Sequence, residues 1–188
     1  MTDQLDPAAP LGTATALTVP DHPRIYVACL AAYNHGRLHG AWIDATTPDA
    51  IRTEVRAMLA ASPEPDAEEW AIHDYEGFQG ASLSEYASFE TFCDLADFLG
   101  EHGEVGAKLY RHFGDDLEQA RAAFEGYAGE YRSAADFAEE FMRETGTEIP
   151  ASLDYYIDWT ALARDMALNG EIMVFQTGFD VVHVFWSR

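Results

Sequence analysis

The chain has 188 residues, 48% of them hydrophobic, so it can bury a core or divide that core among small domains. It carries 33 acidic residues against 11 basic ones, a formal net charge of −22, and Lys108 is its single lysine. Such a charge repels nucleic acid and anionic membranes and attracts basic surfaces, so direct nucleic-acid or membrane binding is excluded as a function.

Residues 1–23 are predicted to be a disordered tail, because they are rich in Ala, Pro, Thr and Asp and show no periodicity. They lack the basic start and the apolar run of a signal peptide. No stretch approaches the roughly 20 consecutive apolar residues that a membrane span needs. We therefore expect a soluble, cytoplasmic protein.

Residues 24–83 are predicted to form an N-terminal α+β domain. Residues 25–30 are strand-like, residues 33–40 turn the chain, and residues 41–44 are the returning strand. Thr47 followed by Pro48 is typical of a helix start. A third strand at 69–75 completes this unit.

Residues 84–124 are predicted to form a helical middle domain. A helix with one apolar and one acidic face covers residues 89–99, and Gly100 and Gly103 interrupt it. A second helix follows these glycines, and Asp115 is predicted to start a third.

Residues 125–188 are predicted to form a C-terminal α+β domain that mediates dimerisation. After a loop-like segment, Ser133 is typical of a capping-box helix start and Gly146 of a helix end. A second helical pattern passes through Tyr156 to Met166, and a β-hairpin crosses Thr177-Gly178. The predicted fold class is therefore α+β, an elongated chain of three small domains.

The hairpin is predicted to form the interface of a two-fold homodimer. It supplies more apolar and β-branched surface than a hairpin covering one helix needs, and such a surplus usually marks an interface. The predicted interface residues are Ile172, Val174, Val182, Val184, Phe185 and Trp186.

Negative charge is concentrated in one part of the chain. Between Ser62 and Glu148 lie 22 of the 33 acidic residues but only 5 of the basic ones. A general adaptation to salt would spread the acid evenly, so this clustering favours a site. The candidate partner-binding residues, which we call the acidic surface, are Asp94, Asp97, Glu101, Glu104, Asp115, Asp116, Glu118, Glu125, Glu130, Asp136, Glu139, Glu140 and Glu144.

Two pairs of residues that contain histidine resemble chemical sites. His35 and His39 have the spacing of helical metal ligands, but glycines break any helix between them and no third ligand is near. His73-Asp74 suggests a general base, yet neighbours on a strand point to opposite faces. We expect no metal and no catalysis at either pair.

No enzyme or cofactor signature is present in the sequence. It contains no nucleophile elbow, no phosphate-binding glycine loop and no cysteine–histidine signature. Cys29 and Cys93 lack zinc or redox spacing and are expected to be small core residues. Most aromatic residues are likewise expected in the core. Tyr127 and Tyr131 are the exceptions, because beside Glu125 and Glu130 they could hold a partner's arginines.

Helix geometry gives the acidic surface a possible meaning. A helix rises about 5.4 Å per turn, so carboxylates in an i, i+4 row lie roughly 6 Å apart. Phosphates along one DNA strand repeat with an axial step of about 3.4 Å and a longer path between neighbours. Several acidic helices laid end to end would therefore approximate a strand of phosphates and could occupy a DNA-binding groove.

Four ordered blocks of the sequence carry a family resemblance. They include Ile25-Tyr26-Val27-Ala28 with Trp42, residues 69–76, the acidic Tyr-x-Gly-Glu-Tyr segment with its helix at 127–140, and residues 150–165. In these blocks, and from about Arg24 to its end, the chain resembles the ArdA antirestriction proteins of mobile elements.

This resemblance implies a curved, elongated protein of three domains that dimerises through its C-terminal domain and mimics bent B-form DNA. Its partners would be type I restriction–modification enzymes, held at the DNA-binding groove of the methyltransferase core. Inhibition would be stoichiometric and would need no cofactor. The N-terminal tail lies outside the resemblance, and residues 24–83 are less acidic than the middle of the chain.

Two other functions remain open on the sequence alone. The chain could be an acidic adaptor that binds basic partners without DNA geometry, or a small acidic hydrolase. Displacement of DNA from a restriction enzyme would favour the mimic over the adaptor, and turnover of a substrate would favour the hydrolase.

Overall fold

A computed structural model describes residues 22–84, 86–146 and 148–187. The predicted tail falls almost entirely outside these residues. The described chain mixes helices with antiparallel strands in two small three-stranded sheets, which confirms the predicted α+β class.

The first sheet contains three antiparallel strands in the order β2-β1-β3. These strands are β1 (Arg24–Cys29), β2 (Gly40–Asp44) and β3 (Trp70–Glu76). A short helix, α1 (Leu30–Asn34), leads from β1 into the predicted turn. Helix α2 (Pro48–Ala60) begins where expected, because the Thr47 side chain accepts a hydrogen bond from the Ala50 amide.

The middle of the chain is built on α3 (Phe89–His112), which is kinked at Gly103. Gly103 has φ 56° and ψ −143°, a conformation open almost only to glycine. The predicted break between two helices is therefore correct. Helix α4 (Leu117–Ala123) starts after Asp116, one residue beyond the predicted start, and leads into a single 3-10 turn at Phe124–Gly126.

The second sheet has the strand order β4-β6-β5. Its strands are β4 (Tyr127–Tyr131), β5 (Ile172–Gly178) and β6 (Val181–Trp186). The loop-like prediction for the segment beside Ser133 is wrong, since Tyr127–Tyr131 pairs with β6. The hairpin prediction is correct, but Thr177 and Gly178 belong to β5 and the turn lies at Phe179 and Asp180.

Between β4 and β5 the described residues form three helices. Helix α5 (Ala134–Glu144) is capped by Ser133, whose side chain accepts a hydrogen bond from the Asp136 amide at 3.1 Å, and the chain turns away at Gly146 with φ 78°. Helix α6 (Ala151–Asp154) is a single turn, and α7 (Trp159–Leu168) follows it.

Both faces of the second sheet are covered within the chain. Phe137 and Ala138 of α5 and Ala163 and Met166 of α7 pack on one face in a common core cluster. On the other face Phe185 joins the larger core of the middle helices. The sheet thus connects the α5–α7 pair to α3 and α4.

The larger core also continues from the first sheet into α3. Ile25 and Ile51 belong to the same buried cluster as Phe92 and Leu99. Residues on either side of Leu83 therefore share one core. The division into three domains in an elongated row stays a prediction.

Candidate functional site

The acidic surface begins on the solvent side of α3. Asp94, Asp97 and Glu101 are exposed, while Phe92 and Leu99 are buried on the opposite side. The helix is amphipathic because its apolar residues recur every three or four positions. Glu104, beyond the kink, lies 3.3 Å from the Lys108 ammonium nitrogen.

The start of α4 contributes Asp115, Asp116 and Glu118. Asp115 and Glu118 are exposed, but Asp116 is half-buried and caps the helix rather than pointing freely outward. Its carboxylate accepts a hydrogen bond from the Gln119 amide at 2.9 Å, which lowers the pKa of Asp116 below its ordinary value. This carboxylate therefore supports the local fold as well as the surface charge.

The remaining carboxylates extend along β4 and α5. Glu130 lies on β4 opposite His183 of β6 and is exposed. On α5, Phe137 and Ala138 are buried, so Asp136, Glu140 and Glu144 form the exposed row that the sequence predicted. Glu125, in the 3-10 turn, is also exposed.

Arg143 joins α5 to α6. Its Nη2 atom lies 2.7 Å from Glu139 and 2.7 Å from Asp154, and its guanidinium lies 6.0 Å from the centre of the Trp159 ring. The hydrogen bond to Glu139 is the main cause that raises the pKa of Arg143. The contact with Glu139 was predicted, whereas Asp154 was missed because its approach depends on the fold of α6.

Most of the acidic surface is not neutralised by neighbouring bases. Glu101, Glu104 and Glu139 each have a basic group within 4.0 Å, and the neighbour of Glu101 is His102 at 3.7 Å. No described basic side chain comes this close to the carboxylates of Asp97, Glu118, Glu130, Asp136, Glu140 or Glu144, whereas Arg121 donates a hydrogen bond to the Asp94 backbone carbonyl at 2.9 Å. Their charge is therefore available to a partner.

Tyr127 and Tyr131 are less available to a partner's arginines than the sequence suggested, because both contact other residues of the chain. The Tyr127 hydroxyl lies 2.9 Å from Nδ1 of His183, and the Tyr131 ring packs edge-on against Phe137. Burial is the main cause that raises the pKa of both tyrosines. Tyr156, expected on an inward helical face, is instead 78% exposed and lies before α7.

The predicted dimer residues are mostly covered inside the chain. Ile172, Val182, Val184 and Phe185 are buried, and Val174 and Trp186 are half-buried. The apparent surplus of apolar surface on the hairpin is largely explained by the two cores that it contacts.

The two histidines of the first pair, His35 and His39, contact different backbone carbonyls. His39 Nε2 lies 2.7 Å from the Met58 carbonyl, whereas His35 Nδ1 lies 3.0 Å from the Ala31 carbonyl. His73 packs edge-on against Tyr33. The described residues contain no cluster of three or more metal-ligating side chains suited to a metal ion.

The two cysteines are buried, as expected for core residues. Burial raises the pKa of the Cys93 thiol to about 11. No helix in the described ranges combines the length and apolarity needed to cross a membrane.

Exposed and largely unneutralised carboxylates on a small α+β scaffold define a protein suited to binding a basic surface. The chain matches the family model for antirestriction protein (ArdA) over residues 25–181. It therefore belongs to the ArdA family of antirestriction proteins, whose partners are restriction–modification enzymes. No curated protein matches the chain.

Proposed function

We propose that this antirestriction protein is a DNA mimic that acts on type I restriction–modification enzymes in the cytoplasm. Its acidic surface occupies the DNA-binding groove of the methyltransferase core and inhibits the enzyme stoichiometrically. The supporting observation is the set of exposed carboxylates on α3, α4, β4 and α5 that lack a described basic neighbour.

Electrostatics explains why such a surface would compete with DNA. A DNA-binding groove presents Lys and Arg side chains that contact phosphates. Carboxylates accept the same charge-assisted hydrogen bonds, and Arg binds them bidentately. Because these charges lie on folded elements, they need little reorganisation on binding, unlike charges on a flexible tail.

We also propose that the protein acts as a homodimer through its C-terminal hairpin. Val184 and Phe185 are buried within the chain and cannot contact a second protomer. The proposed interface therefore consists of the edge of β5, the half-buried Val174 and Trp186, and the hairpin turn. Phe179 at this turn is 93% exposed. Exposed apolar side chains next to a sheet edge are suited to self-association.

The test is a competition experiment with a purified type I enzyme and its DNA. A mimic displaces DNA from the enzyme, and inhibition saturates at a fixed molar ratio as the protein is titrated. Binding to the enzyme without displacement of DNA would instead support an acidic adaptor. Sedimentation at micromolar concentration tests the dimer separately, and a monomer would contradict that part of the proposal.

A further inference from the structure

The segment at α6 presents three large apolar side chains to solvent. Leu153, Tyr155 and Tyr156 are 55%, 91% and 78% exposed, and we call them the tyrosine patch. The two tyrosine rings contact each other edge to face, with their centres 5.6 Å apart. Adjacent exposed aromatic residues are more typical of a binding surface than of a solvated turn.

The charges around the tyrosine patch are predominantly negative. Asp154 lies within it, Glu148 precedes it, and Asp158 follows it as the cap of α7, accepting a hydrogen bond from the Ala161 amide. Among the described residues, Arg143 is the basic side chain in contact with this segment, and Glu139 and Asp154 already hold it. A partner complementary to this patch must therefore be basic.

This charge pattern also argues against a second copy of the chain as the occupant. Two tyrosine patches placed face to face would bring the carboxylates around one patch close to those around the other. Like charges brought together at an interface cost free energy and disfavour the pairing.

The contacts of Arg143 show which basic side chain suits this surface. Its guanidinium binds two carboxylates, Glu139 and Asp154, and lies over the Trp159 ring at 6.0 Å. A planar guanidinium can bind a carboxylate and stack on an aromatic face, whereas a lysine ammonium is a compact point charge. The chain around α6 offers the same two groups to an external arginine, namely the exposed carboxylates of Glu148 and Asp158 and the tyrosine rings.

We propose that the tyrosine patch binds arginine side chains of the restriction–modification enzyme beside the acidic surface. This inference rests on the proposed function. It adds ring stacking and apolar burial to the electrostatic binding by the carboxylates. The carboxylates bind through charge, which salt screens, whereas the rings bind through stacking and apolar burial, which salt screens much less.

The test compares the Tyr155→Ala/Tyr156→Ala double variant with the wild-type chain in the competition experiment at two salt concentrations. Two cation–π contacts at an exposed site predict binding weaker by roughly five- to thirtyfold. The slope of log Kd against log salt should stay as in the wild type, since no charge has been removed. The Tyr155→Phe/Tyr156→Phe variant keeps the rings and should bind nearly as tightly as wild type.

Leu38→Ala serves as the matched control, because it removes a large apolar side chain that is 93% exposed and lies outside the tyrosine patch, the acidic surface and the hairpin. Urea denaturation checks folding, and the single Tyr155→Ala and Tyr156→Ala variants replace the double variant if it is unstable. Unchanged affinity in the alanine variants would overturn the inference while the proposed function stood. A change in sedimentation with unchanged affinity for the enzyme would assign the patch to self-association. Failure of the wild-type chain to displace DNA would refute the proposed function itself.

Discussion

At the residue scale, single carboxylates of the acidic surface are expected to be individually dispensable. Glu130 and Glu140 are exposed and have no described basic neighbour. An exposed ion pair contributes about 0.2–1 kcal/mol, so Glu130→Gln or Glu140→Gln should weaken inhibition by no more than about fivefold. Inhibition titrations measure this change. A single substitution that abolished inhibition would indicate a localised site of the catalytic type and contradict distributed mimicry.

His102 is the residue for which we expect a specific pH dependence. Its ring stacks on Phe124 with centres 3.7 Å apart and meets Phe98 edge-on at 4.8 Å. Burial lowers the pKa of His102 below its usual 6.5, with nearby Arg121 acting in the same direction and Glu101 opposing it. The unfolded chain therefore binds a proton more readily than the folded protein. The contribution of His102 to stability is present above about pH 6.5 and is lost as the pH falls through that range.

The measurement for His102 is the free energy of unfolding of wild type and of His102→Phe at pH 8 and pH 5.5. Between these values the wild type should lose more stability than the variant, because phenylalanine keeps the stack but cannot titrate. The remaining histidines and the carboxylates are common to both proteins, so their effects cancel in the comparison. Equal pH dependence in the two proteins would contradict the assignment.

At the scale of elements, the kink in α3 depends on one glycine. Gly103 has φ 56° and ψ −143°, although no atom lies within 4 Å of the position of an added Cβ. Gly103→Ala should therefore destabilise the protein by about 1–3 kcal/mol through backbone strain alone. Gly100 lies in the same helix and also has space for a Cβ, so Gly100→Ala should stabilise it by about 0.5–1 kcal/mol.

Urea denaturation of these two variants tests the helix kink. Opposite shifts of the unfolding midpoint are expected from the same chemical change three residues apart. If both alanines stabilised the protein, α3 would be able to continue as one straight helix through residue 103. In that case the kink would not be an essential part of the fold.

The elements that could be predicted are those specified by nearby residues. Ser133 specifies the start of α5, and Thr47 specifies the start of α2. In each case the side-chain oxygen accepts a hydrogen bond from the backbone amide three residues later in the chain. Strand β4 was missed because it contains Gly129 and has no β-branched residue. It is a strand because β6, about fifty residues later in the chain, pairs with it. Such pairing cannot be deduced from the local sequence.

At the scale of the whole molecule, the acidic surface is expected to act through its summed charge. Neutralising Glu130, Asp136, Glu140 and Glu144 together removes four carboxylates without a described basic neighbour. At about 0.2–1 kcal/mol each, the combined variant should bind the enzyme at least about fourfold more weakly, with a shallower salt dependence. Glu139 is left intact, because it holds Arg143.

The matched control removes the same number of charges elsewhere. Asp44, Glu54, Glu69 and Asp180 are exposed and lie outside the acidic surface. Neutralising these four should affect binding less than neutralising the first set. If the two variants lost affinity equally, net charge rather than a defined surface would control binding. Stability of the first variant should stay within about 0.5 kcal/mol of wild type, because relieved repulsion along α5 offsets a lost helix-dipole contact.

The sequence was most informative about charge and fold class and least informative about which apolar residues face outward. The carboxylates on α3 and α5 could be placed because helical periodicity opposes them to Phe92 and Phe137. Phe185 is predicted from the sequence to lie in a dimer interface, yet it is fully buried beneath the middle helices. Only the three-dimensional fold shows that the hairpin has a core on each face.

The strand order β4-β6-β5 has a consequence for the growing polypeptide. β4 and β5 are both synthesised before β6, yet β6 lies between them. Until residues 181–186 leave the ribosome, the two outer strands have no backbone partner in this sheet, and the α5–α7 pair lacks the core residues Val182 and Val184. The second sheet can therefore be completed only after β6 has been synthesised. A premature stop shortly before Val181 would remove β6 and, with it, part of the support for the carboxylates of α5.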